Sequence, residues 1–141
     1  MFSIQEIVTI ADARREDAHL LAKLNRTDGA FYIAGYAVEL LLKARIAFQL
    51  GIPDLFSDTS DKELVKPFKI HDLNRLLKYS GLYPNYLNDR QTDETLLKGM
   101  MYIFKWNESA RYKSVGSLSE IECIEFLKNV DYFCLWIKKH I

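Results

Sequence analysis

The chain has 141 residues and a mass of 16.4 kDa, enough for one domain with a sizeable core. Hydrophobic residues make up 49% of the sequence and charged residues 27%, a balance that excludes extensive disorder. The 19 lysines and arginines equal the 19 aspartates and glutamates, so the overall basic charge typical of a nucleic-acid binder is absent and any RNA contact needs a local basic patch.

The cysteines and the apolar runs indicate a cytoplasmic protein. Cys123 and Cys134 are about 16 Å apart along one predicted helix, too far for a disulfide, so we expect buried, reduced thiols. Glu39, Lys43 and Arg45 interrupt the best apolar run before it reaches membrane-spanning length, and the N-terminus has no secretory pattern. No group of further cysteines or histidines suggests zinc, and we expect neither a metal nor a cofactor.

Helical periodicity fits nearly the whole chain and alternating strand patterns are scarce, so the sequence predicts an all-α protein. The first helix is expected from Ser3, as its N-cap, to residue 24. A turn over 25–28 is expected to cap a second helix over 29–50, which Gly51 ends. Two long helices with so short a link must pack antiparallel.

The rest of the chain predicts shorter elements. In order, these are a loop over 53–69 with one short helix around 61–65, a helix over 72–79, a polar loop over 83–91, a helix from 92 to about 105, an irregular connection over 106–112 and a last helix from 117 or 119 to about 139. The prediction is therefore a single domain over residues 1–141, folded as an up-and-down bundle of four to five helices.

The last predicted helix has more apolar residues than one buried stripe requires. Its two apolar sets are Ile121, Ile124, Leu127, Cys134 and Leu135, and Phe126, Val130, Phe133, Trp136 and Ile137. A helix that is apolar over most of its circumference is buried on more than one side. Either this helix is central or one side covers a partner, and we favour a homodimer.

The second helix provides the first candidate site residues. Tyr32, Tyr36, Glu39 and Lys43 are spaced four, three and four apart and share one face. They can line a ligand site, in which the tyrosines stack and the carboxylate and amine orient the ligand. Alternatively, and this is the interpretation we favour, they form an internal Glu–Lys pair flanked by tyrosines at a helix interface.

Two later segments add candidates. His71 precedes a predicted helix and can act as an acid or base, or simply cap the helix or bridge to a loop. Trp106, Arg111 and Tyr112 lie in the irregular connection, where a guanidinium and aromatic rings suit phosphate or base contacts. Alternatively, Arg111 ties this loop to a helix end or pairs with an acid such as Glu39.

Taken together, these segments resemble the HEPN family. The matching blocks are 28–39 with 42–44, then 71–73 with 76–77, then 81–82, and finally Trp106 with 111–112. The resemblance implies a compact up-and-down helical bundle that forms a homodimer in a prokaryote. It also implies a frequent neighbour, a minimal nucleotidyltransferase, in toxin–antitoxin or defence pairs.

The resemblance also bears on activity. Catalytic HEPN proteins are metal-independent ribonucleases with an Arg, four to six residues, His motif in a late helix, but no histidine follows Arg111 in range. The formal match from Arg14 to His19 lies in the first helix, where the two side chains diverge. The sequence therefore predicts a non-catalytic binding or regulatory module for a nucleotide, RNA or a partner nucleotidyltransferase, with no catalytic residue assigned. The alternative is a metal-independent endoribonuclease with a rearranged site, in which His71 is the base and Arg111 holds the phosphate.

Overall fold

A computed structural model describes residues 2–57 and 61–141. Over these residues the chain forms seven α-helices, two 3₁₀ turns and no strand, which confirms the all-α prediction. The helices are α1 (Ile4–Lys23), α2 (Thr27–Leu50), α3 (Lys62–Val65), α4 (Leu73–Tyr79), α5 (Tyr83–Asp89), α6 (Glu94–Ile103) and α7 (Glu120–Lys138), and the 3₁₀ turns are Lys66–Phe68 and Glu108–Tyr112. Part of the predicted loop over 53–69, residues 58–60, lies outside the described residues.

Local capping explains why most predicted helix ends are correct. The Ser3 hydroxyl accepts a hydrogen bond from the Glu6 amide, while the Glu6 carboxylate accepts one from the Ser3 amide. Asp72 and Ser119 cap α4 and α7 by accepting one backbone hydrogen bond each through their side-chain oxygens. Gly51 adopts a left-handed conformation, with φ of 69°, and ends α2.

The predicted cap of α2 is wrong. The helix begins at Thr27, and its N-cap residue Arg26 makes no capping hydrogen bond through its side chain. The Asp28 carboxylate instead accepts hydrogen bonds from the Gly116 amide (2.6 Å) and the Ser117 hydroxyl (3.2 Å). This contact ties the start of α2 to the segment that precedes α7.

The predicted polar loop over 83–91 is also wrong, because residues 83–89 form α5. The proline in the first turn is compatible with a helix start. Tyr86 is buried between the rings of Phe104 and Trp136, and Asp89 accepts a hydrogen bond of 2.8 Å from the Trp136 indole. Burial against α7 therefore stabilises a helix that the local composition does not predict, and it raises the helix count above four to five.

α2 is the central helix of the fold. It packs against α1, α4, α7 and the 3₁₀ turn Glu108–Tyr112, and α1 and α2 make the most extensive contact. Its buried residues include the charged pair Glu39 and Lys43. The first part of the chain thus forms the expected pair of long packed helices, and later elements cover the remaining sides of α2.

An ion-pair network joins α1 to α7. Arg15 lies partly buried between Asp12 (2.7 Å) and Asp131 (3.1 Å). Asp12 also accepts a hydrogen bond from Lys138, and Asp131 contacts His19. A network of partly buried charges holds helices together better than isolated exposed pairs do.

One side of α7 faces the core and the opposite side faces solvent. All five residues of the second apolar set are buried, together with Leu127, Cys123 and Cys134. The solvent side presents Ile121, Ile124, Tyr132 and Leu135, which recur on one face together with the exposed pair Glu125 and Lys128. We call these four residues the outer apolar face. α7 is therefore not enclosed by its own subunit.

Both cysteines are free, buried thiols. Burial raises the pKa of Cys123, and it raises the pKa of Cys134 to about 12. Both thiols are thus protonated at neutral pH and unreactive. None of the helices within the described residues combines the length and the apolar character needed to span a bilayer.

Asp54 organises the loop that follows α2. Its buried carboxylate accepts hydrogen bonds from the amides of Phe2 (3.1 Å), Phe56 (2.7 Å) and Ser57 (2.6 Å). Burial by itself raises the pKa of Asp54, but the hydrogen bonds from the backbone of Ser57 and Phe56 outweigh it and hold the pKa below its usual value.

The lowered pKa predicts a pH-dependent stability. Asp54→Asn should lower the free energy of unfolding by about 1–3 kcal/mol at pH 7, because the replacement amide accepts these bonds poorly. A carboxyl group with a depressed native pKa stabilises the fold above its unfolded pKa, and this contribution is lost as the pH falls through the native value. In urea unfolding, the difference in the free energy of unfolding between wild type and variant should therefore shrink below about pH 4. A difference that stays constant down to about pH 2 contradicts this role.

Candidate functional site

The Glu39–Lys43 pair lies at the centre of the candidate site. Lys43 Nζ donates a hydrogen bond of 2.8 Å to Glu39 Oε1, and the two side chains are only 8% and 2% exposed. Because α2 places these residues four apart on one face, the pair forms within a single helix. The internal pair that the spacing allowed is present, and its carboxylate has a further contact.

His71 connects this pair to the 3₁₀ turn Glu108–Tyr112. Its Nδ1 lies 2.9 Å and 3.1 Å from the two carboxylate oxygens of Glu39, and its Nε2 lies 3.0 Å from Glu108 Oε2. A neutral imidazole has only one N–H, so only the protonated ring donates to both carboxylates. His71 is about half exposed and bridges α2 to the loop, as one of its two interpretations predicts.

Two cavities adjoin at His71. The large cavity, of about 490 Å³, is lined by Lys69, Ile70, His71, Asp72, Leu73, Phe104, Trp106, Asn107 and Glu108. The basic cavity, of about 230 Å³, is lined by Lys43, Leu55, Phe56, Phe68, Lys69 and His71. Lys69 and His71 line both, so the two cavities meet at the segment that precedes α4.

Trp106 is held against α2 by a close backbone approach. Its indole N–H donates to the Tyr32 carbonyl (3.2 Å), and its ring stacks on the Tyr32 ring at 6.2 Å between centroids. The contact requires glycine at position 35, since a Cβ atom there would lie 2.2 Å from Trp106 Nε1. This packing positions Glu108, two residues further on, beside His71.

Arg111 and Tyr112 lie on the surface. The Arg111 guanidinium is 4.9 Å from the centre of the Tyr112 ring, and hydrogen bonding by Tyr32 and then Tyr112 raises the pKa of Arg111. Neither residue lines the two cavities that His71 lines. Glu39 is paired with Lys43 and His71, so it is not the partner of Arg111.

A sequence model of the HEPN domain matches residues 4–140, nearly the whole chain. The chain belongs to the HEPN family. Membership indicates a function related to nucleotides or RNA, or a role in a toxin–antitoxin module, and HEPN domains commonly dimerise. Neither a curated protein nor a solved structure matches the chain significantly.

The structure divides the eight residues that the HEPN resemblance and the spacing predict as ligand contacts. Four of them lie at the two cavities or directly support them: Glu39, Lys43, His71 and Trp106. Tyr32 contacts both Trp106 and Arg111, Tyr112 lies beside Arg111, and Tyr36 lines a third cavity. Sequence reasoning missed Lys69 and Glu108. Their proximity to His71 and Trp106, two residues away in each case, was the available signal.

The formal Arg14–His19 match to the ribonuclease motif does not bring its two side chains together. Arg14 pairs with Asp17 at 3.0 Å, whereas His19 contacts Asp131 at 2.7 Å, so their side chains diverge as expected. Across the described residues, no three histidine, cysteine, aspartate or glutamate side chains are grouped so as to hold a metal ion. The candidate site thus combines a basic cavity with a histidine that bridges two carboxylates, those of Glu39 and Glu108.

Proposed function

We propose that this HEPN protein is a non-catalytic module that binds a nucleotide in the large and basic cavities beside His71. One observation supports this most directly: every polar side chain that lines the basic cavity is basic, namely Lys43, Lys69 and His71. Lysine ammonium groups and a protonated imidazole are good donors to phosphate oxygens, and charge-assisted hydrogen bonds are about twice as strong as neutral ones. The basic cavity therefore suits the phosphate group.

The large cavity suits the base and the sugar. Phe104 and Trp106 supply apolar and aromatic surface, and Asp72, Asn107 and Glu108 supply hydrogen-bond acceptors and an amide donor. Its volume of about 490 Å³ is within the usual range of small-molecule sites. A nucleotide whose phosphate lies beside Lys69 can thus extend past His71 into the large cavity.

Nucleotide binding is tested by comparing ribonucleoside monophosphates with their nucleosides by isothermal titration calorimetry. Lys69→Met should weaken binding of the monophosphate about tenfold or more, since it removes one charged donor, and should change nucleoside binding little. Lys69 is exposed, so its replacement should leave the fold intact. His71→Gln should weaken monophosphate binding as well.

The matched control is Lys98→Met on α6, an exposed lysine that is paired with Glu94 and lies outside both cavities. It should bind nucleotides as the wild type does. Equal losses in Lys69→Met and Lys98→Met would show that nucleotides bind only through the general charge of the surface. No saturable binding of any monophosphate to the wild-type protein would refute the proposal.

We further propose that the protein forms a homodimer through the outer apolar face of α7. Ile121 is 76% exposed and Leu135 is 54% exposed, values that are high for large apolar residues aligned on one helix face. Ile121→Glu with Leu135→Glu should convert the dimer to a monomer, as measured by size-exclusion chromatography with light scattering. Val115→Glu is the control, because Val115 is 92% exposed but lies in the loop before α7. A double variant that remains dimeric would place the interface elsewhere.

A partner nucleotidyltransferase in a toxin–antitoxin or defence pair is a further proposal that rests on family membership alone. Co-purification of the HEPN protein with the product of an adjacent nucleotidyltransferase gene tests it. The absence of such a gene beside the one that encodes this chain counts against the pairing.

The ribonuclease alternative has one supporting contact. Glu39 accepts from His71 Nδ1 and could orient the imidazole as a carboxylate orients a catalytic histidine. However, His71 Nε2 faces Glu108, and Arg111 lies against Tyr112 instead of in the cavities. We therefore expect the purified dimer to leave RNA intact, and cleavage that disappears in both His71→Ala and Arg111→Ala would favour the alternative.

A further inference from the structure

A third cavity lies between the first half of α1, the face of α2 that carries Tyr36 and Leu40, and the loop after α2. It has a volume of about 280 Å³ and is lined by Phe2, Ile7, Ile10, Arg14, Tyr36, Leu40 and Phe56. Five of these seven side chains are purely apolar, and the two polar ones are a guanidinium and a phenol. We call it the N-terminal cavity; it shares only Phe56 with the basic cavity.

The rim of the N-terminal cavity is held in place by hydrogen bonds to the buried carboxylate of Asp54. Asp54 accepts from the amides of both Phe2 and Phe56, so one carboxylate fixes the two phenylalanines that close the cavity on the loop side. The opposite wall consists of Ile7 and Leu40, which are buried in the core of the α1–α2 pair. The cavity is therefore part of the packed structure and not a gap between loosely placed loops.

The guanidinium of Arg14 is incompletely paired. Its Nε atom is buried and makes no hydrogen bond of good geometry, although Asp17 Oδ2 lies 3.0 Å away. An arginine presents five donors, and among the described residues Asp17 is the only acid within ion-pair distance. Arg14 can therefore donate to a further anion.

Tyr36 supplies a second donor. Burial, and then the charge of Glu39, raises the pKa of Tyr36, so its hydroxyl keeps its proton at any physiological pH. Within the described part of the chain, no hydrogen bond satisfies this hydroxyl, and the positive charge of Arg14 is near enough to act on it. The phenol and the guanidinium thus offer two donors at one cavity that is otherwise apolar.

We propose that the N-terminal cavity binds a small carboxylate with an apolar body, with its carboxylate on Arg14 and Tyr36 and its ring or short acyl chain among the apolar side chains. The volume equals roughly nine water volumes at about 30 Å³ each, which is the size of a phenylacetate or a hexanoate. A single negative charge matches a single arginine. Asp17 and Glu39 near these donors disfavour a more highly charged anion.

This proposal is tested with four probes: phenylacetate and hexanoate, and the corresponding neutral amides, titrated into the ¹⁵N-labelled full chain. Each acid should bind saturably and about tenfold more tightly than its amide, because the charge-assisted hydrogen bonds need the carboxylate. Arg14→Gln should reduce the ratio of acid affinity to amide affinity to about twofold or less. Tyr36→Phe should weaken acid binding about threefold. Shifted resonances should include those of Ile10 and Tyr36.

Two controls separate this site from the nucleotide site and from general surface charge. Arg111→Gln removes an exposed arginine outside the N-terminal cavity and should leave acid binding unchanged. Lys69→Met should also leave it unchanged, and a bound nucleotide should not compete with the acid. Equal affinity for acid and amide, no saturation, or an unaltered ratio in a folded Arg14→Gln variant would each overturn the proposal, whatever the outcome of the nucleotide titrations.

Discussion

Gly35→Ala is expected to lower the free energy of unfolding by about 3 kcal/mol, although it adds only one methyl group. The new Cβ would lie 2.2 Å from Trp106 Nε1 and 2.3 Å from two further ring atoms, distances that no relaxed contact permits. Trp106 must therefore leave its place against α2, which exposes a large ring and breaks its hydrogen bond to the Tyr32 carbonyl. The higher helix propensity of alanine, about 1 kcal/mol, offsets only part of this loss.

The matched control is Gly29→Ala in the same helix. A Cβ at Gly29 would meet Leu21 Cδ1 at 3.6 Å, an ordinary van der Waals contact, so this variant should be as stable as the wild type or up to about 1 kcal/mol more stable. Urea unfolding followed by tryptophan fluorescence measures both. If the two variants have equal stability, Trp106 is not packed against Gly35 in solution.

Displacing Trp106 should also affect the candidate site. Trp106 lines the large cavity and is followed closely by Asn107 and Glu108, which line it too. Gly35→Ala should therefore weaken nucleotide binding even where the variant remains folded, whereas Gly29→Ala should not. The close approach of one helix to one indole thus links the packing of the core to the shape of the cavity.

Several helix ends were predictable from the sequence because their signals are local. Ser3, Asp72 and Ser119 cap helices with their own side chains, and Gly51 adopts the left-handed conformation that ends α2. Each of these residues acts on backbone groups within about four positions. Such effects do not depend on the rest of the fold.

The missed elements depend on contacts that are distant in sequence. α5 exists because Tyr86 is buried against Trp136, fifty residues later. The Asp28 carboxylate accepts a hydrogen bond from the Gly116 amide instead of capping its own helix. Neither pairing leaves a periodic pattern in the sequence. Local composition therefore favoured a loop in the first case and a helix cap in the second.

The candidate site was predictable only in part, for the same reason. The spacing of Glu39 and Lys43 allowed them to pair, and the position of His71 allowed a bridge to a loop. Glu108 is the residue that His71 contacts on the loop side because the packing of Trp106 on α2 brings Glu108 there. Arg111 was grouped with His71 as the phosphate contact of a rearranged site, whereas the 3₁₀ turn Glu108–Tyr112 places Arg111 against Tyr112.

The second large effect is expected for Glu39→Met, which should lower the free energy of unfolding by about 3–5 kcal/mol. The substitution roughly keeps the volume but leaves the ammonium of Lys43, which is only 8% exposed, without its carboxylate. His71 also loses the acceptor for its Nδ1. The exposed pair Glu94–Lys98 on α6 has the same spacing and a contact of 2.7 Å, so Glu94→Met is the matched control and should have little effect.

The double variant Glu39→Met, Lys43→Met separates stability from binding. With both charges replaced by apolar side chains, the penalty of an unpaired buried charge disappears, and the free energy of unfolding should return to within about 1 kcal/mol of wild type or exceed it. Nucleotide binding should not recover, because the basic cavity has lost Lys43 and His71 has lost the carboxylate that positions it. If Glu39→Met lowers the free energy of unfolding as little as Glu94→Met does, the ammonium of Lys43 is accessible to water in solution. A double variant that binds nucleotides normally would show that the pair supports the fold and takes no part in the site.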